Sequence, residues 1–560
     1  MFIGLTPLGI NSALMSLSIP FTPLALFATG QQGAWWEPSD FTSLFQDVAG
    51  SVPVTSVEQP VAVMLDKRFG LVRGPELVTG QTWSSSGVGA VGGVNRVTFV
   101  AATAGSGGAS AMIIANKLYE ITYTISGIMG GSIGLDVGGG AAVQRAANGS
   151  YTERKYASAS GILTASCAGT VTDGVFTINS CKLIDGNHVK VVNSVVSARV
   201  NLLTKTEQFD DVAWAKVGAT VTLNSTTAPD GTNTATTFTG TASGSSQYMQ
   251  QTAGKAIDAS AYSFFLKAGT VSAVRLYRYN LRDGSNIFGD FNLVTGTATA
   301  SAWAICTITP QPSGFYLCTV SGPIPAALAA DGAAIVVYAD TGTFFIWHPQ
   351  LETGFTATTY QRVNTAIDYN TVGFPKYLTF NGSSSAAQTF GSIDFSATDK
   401  MTVWAGVRKL SDAATGFLVE TSVDTSNNNG AFAVRAPSAG AGTYGVALRG
   451  TVTGPVYTTG AGFSAPITNV LAYLADTAAA TPSTQMMLRV NMVSQSLSAQ
   501  IVGPTAAGNF GNYPLFIGAR NAASLFFNGN LYDLIVRGAA STANEIAATE
   551  MYVNSKTGAY

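Results

Sequence analysis

Charge is what this chain has least of. Lys and Arg number 29 and Asp and Glu 31 in 560 residues, so charged residues make up 11% of the sequence and the net charge is −2. Soluble proteins usually carry about 25%. No basic block or Arg/Lys stripe exists, so there is no electrostatic footprint for nucleic acid. Histidine is scarcer still: only His188 and His348 occur, which leaves no material for a Ser-His-Asp triad or a histidine metal site. The ten glutamates form no Glu-x-Asp-x-x-Glu pattern of the kind that sets an acid and a nucleophile against one sugar. Glu420 and Asp424 in "ETSVD" are the nearest pair, and the Ser, Asn and Gly that follow read more simply as a solvated loop. The expectation is no enzyme, no cofactor and no metal. Asp424, Asn427 and Asn428 offer oxygen atoms, but a polar turn accounts for them.

Cysteine is limited to Cys167, Cys181, Cys306 and Cys318. Each pair flanks a turn signal, "TVTDGVF" or "TPQPSGF", so a cross-strand disulfide is sterically open but not implied. In a reducing cytoplasm all four would be small buried hydrophobes. The first 36 residues hold no charge at all. They lack the basic start of a signal peptide, and Pro7, Pro20 and Pro23 break any apolar run long enough for a membrane helix. Two readings stand for this segment: an extended docking arm, or part of the first domain's core.

Hydrophobic residues (46%) and 61 glycines are what the chain has instead. That excludes long disorder, and a surface so poor in Lys and Glu suits burial against copies or partners; a Ser/Thr-coated monomer is the alternative. Short runs rich in β-branched and aromatic residues, such as "YEITYTISG", "AYSFFLKAG" and "TFFIWHPQLE", are bounded by Gly, Asn, Asp or Pro. Amphipathic helix is nearly absent. The pattern predicts an all-β chain of sandwiches.

Two stretches look like edited copies. One opens with "ELVTGQTW" and closes with "GVFTINSCKLIDG"; the other opens with "NLLTKTEQFDDVAWAKVGATVTLNSTTAPDGTNTATTFTG" and closes with "GTFFIWHPQLETGFTATTYQRV". Between them, "YEITYTISGIMGGSIGLDV" lines up with "YSFFLKAGTVSAVRLYR". A repeated opening, middle and closing strand predicts a repeated domain. The expected division is 1–75 as an N-terminal region, 76–200 as module 1 with "NHVKVVNSVVSARV" as exit linker, 201–365 as module 2, and 366–560 as a C-terminal domain that folds alone. A helix is expected near its end, with Ser541 or Thr542 as N-cap, Glu545 in the first turns, Gly558 past its end, and Ile546, Met551 and Val553 on its apolar side.

The second copy resembles the carbohydrate-binding-like jelly-roll modules of bacteriophage tail and fibre proteins. "LFIGAR" and "FFNGNLYDLIVRG" with the closing helix resemble the laminin-G/concanavalin-like sandwiches of phage tail proteins. "GAWWEPSDFTSLFQDVAGSVPVTSVEQPVAVMLDKRFG" is similar to a segment of phage structural proteins in which Asp usually stands at the position of Glu37. These resemblances imply tandem jelly-roll β-sandwiches and a C-terminal concanavalin-like sandwich. They imply a virion structural protein of tail-fibre or spike type that attaches to the host surface, a homotrimer in the family pattern, joined to other virion proteins through its N-terminal region and located on the tail or capsid exterior. A capsid decoration or head-fibre protein is the alternative, and a glycan depolymerase a more distant one. The expected partners are the chain itself, other virion proteins and a host glycan or protein, with no nucleic acid and no membrane insertion.

Sugar binding needs flat aromatic faces beside hydrogen-bonding groups. Strand alternation in "VRLYRYN" puts Arg275, Tyr277 and Tyr279 on one face and Val274 and Leu276 on the other. The aromatic face would bind glycan or pack on a neighbour. The loops Val423–Phe432 and Gly450–Phe463, with Tyr457 as an aromatic anchor, are further contact candidates, or plain connections.

Overall fold

The computed structural model describes residues 21–560 apart from 49, 70–72, 104, 140–141, 242–246, 254–258, 281–285, 324–332, 340, 366–367, 369–373, 439, 441 and 451–454. The chain is all-β, built from antiparallel sheets packed as sandwiches, with a single long α-helix among the described residues. Alternation drives the packing. In Lys117–Met129, Leu118, Tyr119, Ile121, Tyr123 and Ile125 are buried, and the residues at even positions from Glu120 to Thr124 lie nearer the surface.

The two sequence copies are two sandwiches of matching layout. In module 1, strand Lys117–Met129 pairs with the closing strand Val171–Ile184, while Ser132–Val137 crosses to the second sheet. In module 2, Ala259–Ala268 pairs with the closing strand Gly342–Thr353, while Ala273–Asn280 crosses to the second sheet. The openings dock alike: Leu77 N donates to Cys181 O (2.9 Å) and Leu202 N to Leu351 O (2.7 Å). Each module has its own core, around Trp83, Tyr123 and Phe176 in the first and Trp214, Phe264 and Phe344 in the second.

The third sandwich is assembled from three separated stretches of sequence. Strand Asn528–Arg537 lies between Lys400–Lys409 and, toward its other end, Tyr377–Asn381. It also pairs with Gly33–Trp36, in register Trp36↔Leu534. Pro60–Met64 pairs with Val189–Ser197, which itself pairs with Ala386–Thr389 in one sheet and with Tyr377 and Leu378 in the other. Asn193, at φ 53°, lies between these two pairings in the strand that passes from sheet to sheet. Ala34, Trp36, Leu44, Val54, Val61 and Met64 therefore share one core with Leu378, Val403, Leu488 and Leu534.

The described part of the N-terminal region packs into a core, one of the two readings left open for it, though the core is that of the third sandwich. The segment read as an exit linker is a core strand of the same sandwich. A chain beginning at Pro75, or one cut to Asp368–Tyr560, would lack strands that complete this core, so the C-terminal domain is not expected to fold alone. Residues 1–20, to which most of the docking-arm reading applies, lie outside the described residues. Module 1 enters and leaves through adjacent strands (Arg73↔Ile184), and module 2 opens and closes at Leu202 and Leu351, as insertions into a host domain do.

The closing helix is Ala543–Thr557. Thr542 and Glu545 form a reciprocal capping box and Gly558 ends it in the left-handed region at φ 62°. Ile546 and Val553 are buried as expected, but Met551 is 56% exposed; Thr549 and Glu550 fill the inner face instead. Glu550 is held there by Arg489 at 3.0 Å.

Candidate functional site

The outward face of module 2 gathers the residues of most chemical interest. Strand Ala273–Asn280 pairs antiparallel with Asn286–Asn292, setting Arg275 opposite Asp290 and Tyr277 opposite Phe288. Residues directly opposite in a ladder share a face. Val274 and Leu276 point the other way and are buried, so the alternation read from the sequence holds here. Arg275 and Asp290 form a two-pronged ion pair, Nε–Oδ1 2.6 Å and Nη2–Oδ2 2.8 Å. The guanidinium also lies 3.9 Å from the Phe288 ring centre. The Tyr277 and Phe288 rings are 6.3 Å apart and inclined by 30°. The pair is part-exposed, so its electrostatic contribution to stability is small; its effect is to fix two planar charged groups beside two rings.

The same row continues to Tyr248, two strands away across the backbone of residue 338. Its other end reaches Thr299. The backbone of Tyr279 extends the strand, but its side chain lies outside the described residues. Tyr457 is not brought to this face. It sits in strand Val456–Thr458 of the third sandwich, half-buried against that core rather than at an exposed loop tip. Phe288 and Asp290 escaped the sequence reading; the "DG" signal at Asp283–Gly284 marks a turn between the strands but not the register that sets these pairs.

Trp303 lies at the corner between the strands Thr297–Ala300 and Ile305–Pro310. It is 84% exposed, while each of the other six tryptophans is 6% exposed or less. Ala304 N donates to Ser301 O at 3.1 Å, closing a four-residue turn with Trp303 in third place at φ 68°. That position favours glycine, and a bulky side chain costs about 1–2 kcal/mol there.

The remaining candidates are accounted for by structure. His348 is stacked between Trp347 (3.3 Å) and Tyr360 (3.7 Å), with Nε2 3.2 Å from Glu207. Burial lowers its pKa despite that carboxylate. His188 is buried and its Nδ1 accepts from Asp66 N at 3.0 Å. Glu420 is fully buried and bonded to Arg520 Nη2 at 3.0 Å, and Asp424 meets Arg520 Nη1 at 3.1 Å. The segment is thus a buried strand end, not the solvated loop read for Glu420, and both carboxylates pair with one guanidinium. Asp424 also accepts from Asn427 Nδ2 at 2.6 Å, and among the described residues no cluster of three or more acidic, His or Cys side chains could hold a metal. All four cysteines are free thiols, and burial pushes Cys181 up to about 12 and Cys306 up to about 11. No helix among the described residues is long and apolar enough to cross a membrane.

Comparison with known protein families finds no match, and neither does comparison with curated proteins. Among solved structures, the chain is similar to the carbohydrate-binding module CBM40 of the Ruminococcus gnavus IT-sialidase bound to α2,3-sialyllactose. Identity is 18% over 27% of this chain and 83% of that one, with a TM-score of 0.22. The tandem CBM22 modules of Paenibacillus barcinonensis Xyn10C align at 11% identity over 51% of this chain and 97% of theirs, TM-score 0.22. The NanB sialidase of Streptococcus pneumoniae aligns at 16% identity over 30% of this chain and 26% of its own, TM-score 0.21. These neighbours include β-sandwich carbohydrate-binding modules, but likenesses so partial carry no argument about what this chain binds.

Proposed function

We propose that this chain is a non-catalytic glycan-binding adhesin, and that module 2 binds sugar on the face formed by Arg275, Tyr277, Phe288 and Asp290. The observation that carries the reading is the pairing of two neighbouring, part-exposed rings with a bidentate ion pair on one ladder. A sugar ring has an apolar C–H face and a rim of hydroxyls. Aromatic rings receive the first, and fixed charged donors and acceptors the second. The non-catalytic part of the reading is supported by Glu420 and Asp424 being tied to Arg520.

The virion context rests on the sequence resemblances alone. On that reading the protein is a bacteriophage tail-fibre or spike component. It is a homotrimer on the virion exterior, bound to other virion proteins through its N-terminal region and to a host-surface glycan through module 2. The poverty of charge supports self-association, since it leaves little to keep copies apart.

The test is a bacterial-glycan microarray probed with the full chain, followed by Tyr277→Ala and Asp290→Ala. The expected result is binding that either substitution reduces at unchanged melting temperature. Binding that survives both, or no binding to any host polysaccharide, overturns the reading. Light scattering that returns 57.7 kDa, the mass of one chain, removes the trimer. Antibody labelling of the capsid shell rather than the tail favours the decoration alternative.

A further inference from the structure

We infer that Trp303 is a second stacking platform beside the Tyr277–Phe288 face, so that the site takes an oligosaccharide of several residues rather than a single terminal sugar. The inference rests on the glycan-binding reading above and adds the size of the ligand to it.

Trp303 is the one tryptophan the fold leaves in solvent, at 84% exposure. Its turn is not loose. Ser301 N donates to Phe288 O (2.9 Å) and Phe288 N donates to Ser301 Oγ (2.9 Å), which locks the start of the turn to the aromatic face itself. An indole held in a position that favours glycine, on a tethered turn, is strained and presented rather than buried, the pattern of a contact residue. The surroundings suit a sugar chain. No charged residue occurs from Leu293 to Gln311, and the edge strand of the same sheet exposes Thr297 and Thr299. Those hydroxyls can donate and accept to sugar hydroxyls without the desolvation cost of a charge.

Spacing bounds the separation of the two platforms. Opposed Cα atoms in an antiparallel ladder lie about 5 Å apart, and Trp303 is two residues beyond Ser301, at most about 7 Å of chain. The Tyr277 and Phe288 rings, 6.3 Å apart, can share one sugar. Trp303 therefore lies within about 12 Å of the Phe288 backbone, inside the reach of an oligosaccharide seated on that pair.

The experiment titrates the full chain, Trp303→Ala and Tyr277→Ala with defined oligosaccharides of one to eight residues, prepared from the host polysaccharide that the microarray identifies. Trp303→Ala is expected to weaken the longer members by about three- to tenfold and leave the monosaccharide unchanged. In the unsubstituted chain, acrylamide should quench the exposed indole, and the longer oligosaccharides should protect it. A Trp303→Ala chain that binds all lengths like the parent overturns the inference, and the glycan face still stands if Tyr277→Ala abolishes binding. An equal loss at every length also overturns it, because Trp303 then touches the first sugar. If Tyr277→Ala has no effect, the glycan face falls and this inference with it.

Discussion

Replacing Trp36 by Ala should loosen a domain most of whose sequence lies more than 300 residues away. Trp36 is fully buried on a strand paired with Leu534–Arg537, and its Nε1 donates to Asn187 O at 3.0 Å. Truncating a buried Trp to Ala costs about 3–5 kcal/mol from lost transfer energy and the cavity. The unmet carbonyl and lost bond add about 1 kcal/mol. Against a typical total of about 5–15 kcal/mol, that is a large share of the third sandwich's stability. The assay is urea unfolding followed by near-UV circular dichroism and limited proteolysis. With a slope of about 3 kcal/mol/M, the sandwich transition should move down by more than about 1 M urea, while fragments of modules 1 and 2 keep their protection. A chain starting at Pro75 lacks the whole strand and should lose the sandwich transition. If Trp36→Ala leaves the midpoint in place, or the truncated chain melts like the parent, the shared core is wrong.

Three further outcomes follow from local chemistry. Burial alone would raise the pKa of Glu37, but Lys67 (2.6 Å) and Lys556 (2.7 Å) outweigh it and hold the carboxyl at about 2. Its contribution is therefore complete above the unfolded value near 4.5 and lost as pH falls toward 2, so Glu37→Gln should flatten the acid limb of a stability–pH curve over that interval. Thr542→Ala removes the cap of the closing helix and should cost about 1 kcal/mol, read as a lower melting temperature with unchanged glycan binding. The native chain should leave Cys181 and Cys318 unmodified by iodoacetamide at neutral pH, since burial raises both thiols, and dithiothreitol should not shift its melting point.

What was legible in the sequence is what depends on near neighbours. The closing helix was readable because a cap, its box partner and a terminal glycine lie within 17 residues. The alternation that separates Arg275 and Tyr277 from Val274 and Leu276 was readable because a strand reverses side at every residue. The missing partners, Phe288 and Asp290, required only the register of one hairpin. Met551 was assigned to the helix's inner face by hydropathy, yet Glu550 takes the buried place because Arg489 reaches it from another strand. The same holds for Glu420: nothing near it in sequence announces Arg520, 100 residues on. Ion pairs between distant segments leave no local trace.

The strand pairing of Gly33–Trp36 is the extreme case, and on the proposed glycan-binding reading it bears on how module 2 is presented. Nearly 500 residues separate Trp36 from Leu534, and two complete modules lie between them. The sandwich core cannot close until its last strands are made, so much of its folding falls late and at high contact order. The gain is geometric. Each module is held by two adjacent chain crossings instead of one flexible linker, and side-chain contacts reinforce the seams. Tyr156 stacks on Phe390 at 4.1 Å at the first. Arg408 Nη2 donates to Thr353 O at 2.6 Å at the second. A face carried on module 2 is thus fixed relative to the sandwich that bears it. Preorganisation of this kind lowers the entropy lost when several copies bind one polymeric surface together. Arg408→Ala should therefore leave the affinity of one chain for a short oligosaccharide unchanged and reduce avidity for the intact polysaccharide, measured by surface plasmon resonance on immobilised polymer. Equal avidity of the variant and the parent would show that the seam contributes nothing to presentation.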